Sequence, residues 1–424
     1  MSITDINQRI IKLHCVSQQY GWGNYGLKST VAQLLAGDSQ CAHTIDESTP
    51  YAELWMGAHP AAPSMVDDLS TPGKLVTLEQ YIDANDAKLM LGNDVVERFG
   101  TKFPFLFKVL SIRTALSIQA HPDSQLAKQL FKEQPDIYKD SFHKPEIAIA
   151  LTPFKALCGF RPLQDIVDFV DTKVPELKAT IYASPIHTTT SLDHTQCAQY
   201  LQHTVKALLK ATPEEVANNL KTLVNRIKSQ SSRSELDELV LTLHAQYPGD
   251  VGVFFAYLLN YIQMKEGEAL FLPAGEPHAY VAGDCVECMA PSDNVVRAGL
   301  TPKLKDVNTL AKMLTYTTGV PPFVAPIQTS AHSVVYRPPV DEFEVERIDL
   351  VGQQHEVSAR AVPSILLVLN GSASLSSAHN DNNFGSLNKG TVLFIPANIP
   401  FNLQAVSKEQ QQATVVYIAR VSER

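Results

Sequence analysis

Apolar and polar positions change period several times along the chain, and each change marks a different kind of element. Between residues 162 and 259 apolar side chains recur at helical spacing in four stretches, 163–170, 198–209, 213–229 and 234–247. Thr212, Pro213 and Glu215 supply an N-cap, a first-turn proline and the acidic third residue of a capping box, so a helix is predicted to start there. Thr77 and Gln80 repeat that signature inside a second helical stretch, 75–91, with 94–99 following. Further helices are predicted over 124–131 and from Thr301 to Leu314.

On both sides of the helical block the pattern shortens into apolar runs bounded by Gly, Pro and Asn. Strands are predicted at 103–110, 116–120, 147–151 and 269–272. The last hundred residues are strand-rich, at 343–349, 364–369, 372–376, 391–395 and 414–420. Asn370-Gly371 is read as a two-residue hairpin turn between the second and third of these. One strand-and-turn pattern occurs twice, as Gly267 to His278 and as Gly390 to Phe401, with Gly, Leu, Phe, Pro and Ala at matching places. The imidazole of the first copy is replaced by phenyl in the second, so the first can bind a metal at that position and the second can only pack.

The resulting expectation is a mainly β chain with an inserted helical domain. The boundaries are 1–161 together with 248–325 for a first β domain, 162–247 for the helical insertion and 326–424 for a C-terminal β domain. A chain of 424 residues can bury cores of that number. Its 35 Lys plus Arg are outnumbered by 44 Asp plus Glu, without a sustained basic run, which argues against nucleic acid as a partner. No apolar stretch reaches about 18 residues and no basic-then-apolar leader opens the chain, so no membrane partner and a cytoplasmic location are expected. No obligatory protein partner is expected either. Six cysteines make no disulfide framework. Cys285 and Cys288 lack a second C-x-x-C, and the alternation around Val286 and Glu287 makes them packed thiols on a strand. His187, His194, His203 and His244 have no ligand spacing and are read as ordinary residues.

Four side chains at strand ends or beside turns carry the candidate chemistry. On an extended segment Ser117, Gln119 and His121 share one face, while Leu116, Ile118 and Ala120 share the other. Lys144 and Glu146 share a face just before an apolar strand, and His278 follows the Pro273-Ala274-Gly275 turn. Two imidazoles, a carboxylate and an amide oxygen suit one Zn²⁺ with an open position for water or substrate. Lys144, Arg297 and Lys303 offer positive charge in an acidic chain, which suggests an anionic substrate. Glu287 and Asp293 are the candidate general bases, and Glu53 and His59 the candidate supporting groups.

Tyr51-Ala52-Glu53-Leu54-Trp55-Met56-Gly57, the strand from Pro104 to Lys108, Leu116 to Asp123, His143 to Glu146 and the long block Gly267 to Lys303 together resemble the class I phosphomannose isomerases. The resemblance covers nearly the full chain. It implies a cupin-like double-stranded β-helix, or jelly roll, in each of the two β domains. It implies Gln119, His121, Glu146 and His278 as ligands of a single zinc ion, and Arg297 as the catalytic arginine. Trp22, Ser117, Lys144, Tyr280, Glu287, Asp293 and Lys303 would line the pocket, with Lys144, Ser117 and Lys303 holding phosphate or orienting hydroxyls. The implied reaction interconverts D-mannose 6-phosphate and D-fructose 6-phosphate by proton transfer between C2 and C1. Glu287 is preferred over Asp293 as the base, because both histidines are occupied by metal. The rival readings are another metal-dependent enzyme of the same architecture, such as a sugar-phosphate epimerase or an oxygenase, and a sugar-phosphate-binding protein without catalysis.

Overall fold

The computed structural model describes residues 9–38, 44–68, 71–181, 194–321, 323–377, 384–406 and 413–423. His187 and the side chain of His194 lie outside them. Ten strands make the largest sheet: β1 (Val16–Gln18), β2 (Glu53–Gly57), β3 (Leu106–Ile112), β4 (Ile118–Ala120), β5 (Glu146–Ala150), β6 (Phe154–Phe160), β7 (Leu259–Met264), β8 (Ala269–Leu272), β9 (His278–Met289) and β10 (Val296–Gly299). The main path runs β7-β6-β9-β3-β2-β1.

Strand β9 is the hub. Its first half pairs with β6 and, at His278, with Gln119 of β4; its second half pairs with β3 and β5. Gly283, at φ 106°, stands at the changeover. A Cβ there would overlap the backbone of Pro153 and Phe154, so glycine is what lets the strand serve two sets of neighbours.

This branching corrects the expected architecture. The ten-stranded path ends at β7 on one side and β1 on the other, and the C-terminal seven-stranded and four-stranded sheets are separate paths. No sheet closes into a barrel among the described residues, so the cupin-like jelly roll is not the fold; it is a mixed α/β fold with several separate sheets. Alternation locates strands and their faces but says little about which edges pair. The hairpin expected at Asn370-Gly371 fails for the same reason. Ser364–Asn370 belongs to the seven-stranded sheet and Ser372–Ser376 to the four-stranded one, so the chain changes sheets at Gly371 instead of folding back.

Four helices lie close to where the pattern placed them, at Leu163–Asp168, His194–Lys210, Pro213–Lys228 and Glu235–Gln246, and a fifth that the pattern did not indicate runs over Pro175–Ile181. Thr212 and Glu215 cap each other reciprocally, as do Thr77 and Gln80. The stretch expected to be helical from residue 75 opens as the strand Leu75–Thr77, which pairs with Met65–Asp67 before Thr77 caps the helix Leu78–Ala84. The helices do not have a core to themselves. Leu201, Leu220, Leu223 and Leu243 pack in one cluster with Ile118, Ala120, Ala279, Val296 and Ala298 from the strands. A second core joins the other side of the ten-stranded sheet, through Phe107, Val109, Ile147 and Val286, to Val345, Ile365, Phe394 and Tyr417 of the seven-stranded sheet. Cys285 and Cys288 belong to different clusters on opposite faces of β9, so they are packed thiols that cannot share an ion. The C-terminal sheet carries a buried ion group in which Arg420 donates to Glu344 at 2.7 Å and Glu346 at 2.5 Å. None of the helices among the described residues is long and apolar enough to cross a membrane.

The two copies of the repeated pattern have matching backbones. Gly267 and Gly390 have φ of 82° and 88°, Gly275 and Asn398 have 74° and 64°, and His278 and Phe401 each open the next strand. Gly390 also sits where an added Cβ would overlap the carbonyl of Leu34, whereas Gly73, at φ 81°, has open space around it. Gly73→Ala should cost about 1 kcal/mol, the left-handed penalty alone, while Gly390→Ala should cost several times more. Urea unfolding of the two variants checks this; equal losses would mean the contact with Leu34 yields easily.

Candidate metal centre

Alternation along three strands builds the centre. Ile118 and Ala120 of β4 face the helical core, which turns Gln119 the other way. Its register partners are His278 on β9 and Arg297 on β10, so an amide, an imidazole and a guanidinium stand in one row across the sheet. His121 leaves the end of β4 and Glu146 opens β5, and both are buried.

The ligand atoms of His121, Glu146 and His278 all lie within 4.8 Å of one another. His121 Nδ1 is 2.7 Å from the carbonyl oxygen of Asn294, and His278 Nδ1 is 2.9 Å from that of Glu276. A carbonyl only accepts, so each Nδ1 carries the proton and each Nε2 presents a bare lone pair. Both Nε2 atoms are buried without a hydrogen-bond partner, and both face Glu146 Oε2, at 3.3 and 3.4 Å. Lone pairs and a carboxylate converging in a dry site repel unless a cation lies between them. Protons are a poor substitute here: burial, only partly opposed by Glu146, pushes His121 down to about 4. Burial also works against ionised Glu146, while Lys144, 3.1 Å from Oε1, favours it, and the carboxyl is held well below its usual range. The donor set therefore fits a divalent metal ion. Gln119 lies beside it, its Oε1 accepting from Ser117 Oγ at 3.4 Å.

Next to the cluster runs a chain of buried charges. Lys108 Nζ lies 3.3 Å from Glu53 and 3.2 Å from Glu287, and Tyr280 donates to Glu287 at 2.9 Å. Burial penalises charged Lys108, but Glu53 and Glu287 outweigh that and raise its pKa, so it stays protonated. Burial raises Glu287, with Lys108 opposing and Glu146 reinforcing. Three buried carboxylates, Glu53, Glu146 and Glu287, face two ammonium groups, Lys108 and Lys144, an excess of negative charge that a dication would reverse. Arg297 is half-buried; burial lowers its pKa, and no carboxylate among the described residues opposes that. With exposed Lys303 it lines a cavity of about 270 Å³ that also touches Tyr138, Asp293 and Asp306.

The expected site residues thus fall into two groups. Ser117, Lys144, Tyr280 and Glu287 join the four ligand candidates in buried or half-buried surroundings, whereas Asp293 is 57 % exposed, 3.5 Å from His59, and lines the Arg297 cavity. Trp22 stacks on Tyr20 with ring centroids 5.9 Å apart, against the cluster that holds Tyr280. Sequence reasoning missed Lys108, whose signal was a lone lysine inside a strand whose every residue is buried. It also missed Asp140, which accepts from Ser292 Oγ and the Asp293 amide, both at 2.8 Å, and from Asn294 Nδ2 at 3.1 Å. Asp140 thereby holds the loop whose carbonyl orients His121.

Three family models match the chain: the phosphomannose isomerase type I catalytic domain over residues 10–163, its helical insertion domain over 179–259 and its C-terminal domain over 333–380. A probable mannose-6-phosphate isomerase of Dictyostelium discoideum is 52 % identical, covering 98 % of this chain and 94 % of its own. The mannose-6-phosphate isomerase of Homo sapiens is 44 % identical, with 93 % and 95 % covered. Among solved structures, a zinc-bound mannose 6-phosphate isomerase superposes with a TM-score of 0.82 at 31 % identity, covering 98 % of this chain and 100 % of that one.

Loss of the Asp140 carboxylate should loosen the loop behind His121. Asp140→Ala is expected to weaken divalent-metal binding at the cluster by about tenfold or more, as loss of outer-sphere partners of metal ligands commonly does. Competition against a chelating dye measures this, and unchanged affinity would mean the 292–294 loop holds itself.

Proposed function

The chain belongs to the type I phosphomannose isomerase family, and we propose that His121, Glu146 and His278, with Gln119, hold one zinc ion at the centre of the reaction that family performs. That reaction is the reversible interconversion of D-mannose 6-phosphate and D-fructose 6-phosphate, a sugar phosphate being the substrate. A proton leaves C2 and one is delivered to C1 through an enediol, while the hydroxyl proton moves between O1 and O2. The observation that carries the metal assignment is the pair of buried, unpartnered Nε2 atoms aimed at one buried carboxylate. Bound there, zinc supplies Lewis acidity towards the sugar oxygens at C1 and C2.

The chain's own groups do the rest. Arg297, with no carboxylate partner among the described residues, offsets the negative charge that develops on the enediolate oxygen. Glu287 is the base: it is buried, its pKa is raised, and Tyr280 and Lys108 orient it. Asp293, exposed and beside His59, is less suited to that work and belongs to the pocket wall. Lys144 is committed to Glu146, which leaves Lys303 and Ser117 as groups for phosphate or sugar hydroxyls. The division of the chain at 161/162, 247/248 and 325/326 is part of the same proposal; the catalytic match ends near the first boundary, whereas the helical match runs on to residue 259.

Removing the metal with a chelator should abolish conversion of mannose 6-phosphate, and Zn²⁺ should restore it; full activity in verified metal-free protein would sink the zinc assignment. Arg297→Ala should lower turnover by about 100- to 1,000-fold with zinc content unchanged, and parallel loss of metal would give Arg297 a structural role instead. A base must be unprotonated, so kcat/KM should rise with pH through the raised Glu287 pKa, placing the acid limb above the ordinary carboxylate range. In Glu287→Gln that limb should vanish along with exchange of the C2 proton into solvent; persistence of both would move the base elsewhere.

A further inference from the structure

Arg297 is held by little of its own strand. Its pairing with β4 extends over Val296 and Arg297 and then breaks, the register shifting before Gly299. Immediately beyond, Leu300 takes φ 53°, a left-handed conformation that is strained for leucine. Something outside β10 must impose that geometry.

The restraint comes from the exit of the helical block. Asp250 Oδ1 accepts from the Leu300 amide at 2.6 Å and from the Gly252 amide at 2.7 Å, and Oδ2 accepts from the Thr301 amide at 3.3 Å. Gly252 and Gly299 lie against each other: a Cβ on Gly252 would overlap the Leu300 amide, and one on Gly299 would overlap the backbone of Gly252. Two glycines and one carboxylate thus clasp two segments roughly fifty residues apart in sequence. Thr301 passes the restraint on, its Oγ1 accepting from the Lys303 amide at 3.1 Å. The same exit segment also grips the approach to β4, where Gln246 Oε1 accepts from the Ala115 amide at 3.0 Å and Tyr247 donates to the Ala115 carbonyl at 2.6 Å. Residues 246–252 therefore bracket both strands that present Gln119 and Arg297.

We propose that Asp250 is a positioning residue for the isomerisation: by bonding the amides of Leu300 and Thr301 it fixes the turn after Arg297 and so sets where the Arg297 guanidinium stands. It is neither in the His121, Glu146 and His278 cluster nor in the lining of the Arg297 cavity. The proposal rests on the reading of Arg297 as the group that offsets developing charge, and it gives the segment that follows the helical insertion a share in catalysis. A group displaced by about 1 Å can lose a hundredfold in rate, so a clasp of this kind acts on turnover more than on folding.

A double-mutant cycle on the full-length zinc-loaded protein tests this. Asp250→Ala should lower kcat/KM for mannose 6-phosphate by about 10- to 100-fold, chiefly through kcat, with zinc content unchanged. In an Arg297→Ala background the same substitution should cost less than about threefold, since the group it positions is gone. Equal losses in both backgrounds would overturn the proposal and make Asp250 a general structural residue. If Arg297→Ala alone leaves activity intact, the premise about Arg297 fails, which is a separate and distinguishable result. Should Asp250→Ala not fold, Asp250→Asn carries the same cycle. It keeps an acceptor for the Gly252 and Leu300 amides but turns an amide N–H towards Thr301, so a smaller loss is expected, again confined to the background that has Arg297.

Discussion

A carboxylate that shares a dry site with two imidazole lone pairs is the constraint on which the centre depends. Each imidazole is fixed in that state by a backbone carbonyl at its other nitrogen, from Asn294 and from Glu276. Each carbonyl selects the tautomer whose Nε2 faces Glu146, so repulsion between neutral imidazole lone pairs and the carboxylate is built into the protein part of the site. A divalent cation turns that repulsion into ligation. The neighbouring row of Glu53, Lys108 and Glu287 extends the same logic, with the negative charge in excess until a dication is counted.

Strand alternation separates this polar face from the cores. Along β9, Ala279 and Val281 pack on the helices and Val286 and Cys288 on the C-terminal sheet, while His278, Tyr280 and Glu287 turn to the site. The glycine changeover at Gly283 lets one strand carry the proposed metal ligand His278 near one end and the proposed base Glu287 near the other. Because the cores on both sides are continuous with the sheet, the helical block and the C-terminal sheets brace the site as well as covering it.

Much of the site was legible because period two places residues on faces. Gln119 and His121 against Ile118 and Ala120, Lys144 with Glu146, and His278 against Phe401 in the repeated pattern all follow from spacing and local chemistry. Helix starts at Thr77 and Thr212 were legible because a capping box is local in sequence. What was not legible is non-local. Whether sheets close, and whether Asn370-Gly371 folds back or changes sheets, depends on edge pairing between distant strands. Asp140 and Asp250 act on backbone amides about 150 and 50 residues away, and nothing in their own surroundings advertises that. Glu287 and Asp293 differ in burial, which spacing alone could not rank.

The most direct measurement of the central claim is X-ray absorption at the zinc edge of the reconstituted protein. The account predicts a shell of light N and O atoms at about 2.0–2.2 Å, with the outer scattering of two imidazoles and no sulfur. A sulfur shell near about 2.3 Å, or the absence of imidazole scattering, would place the ion elsewhere and contradict it.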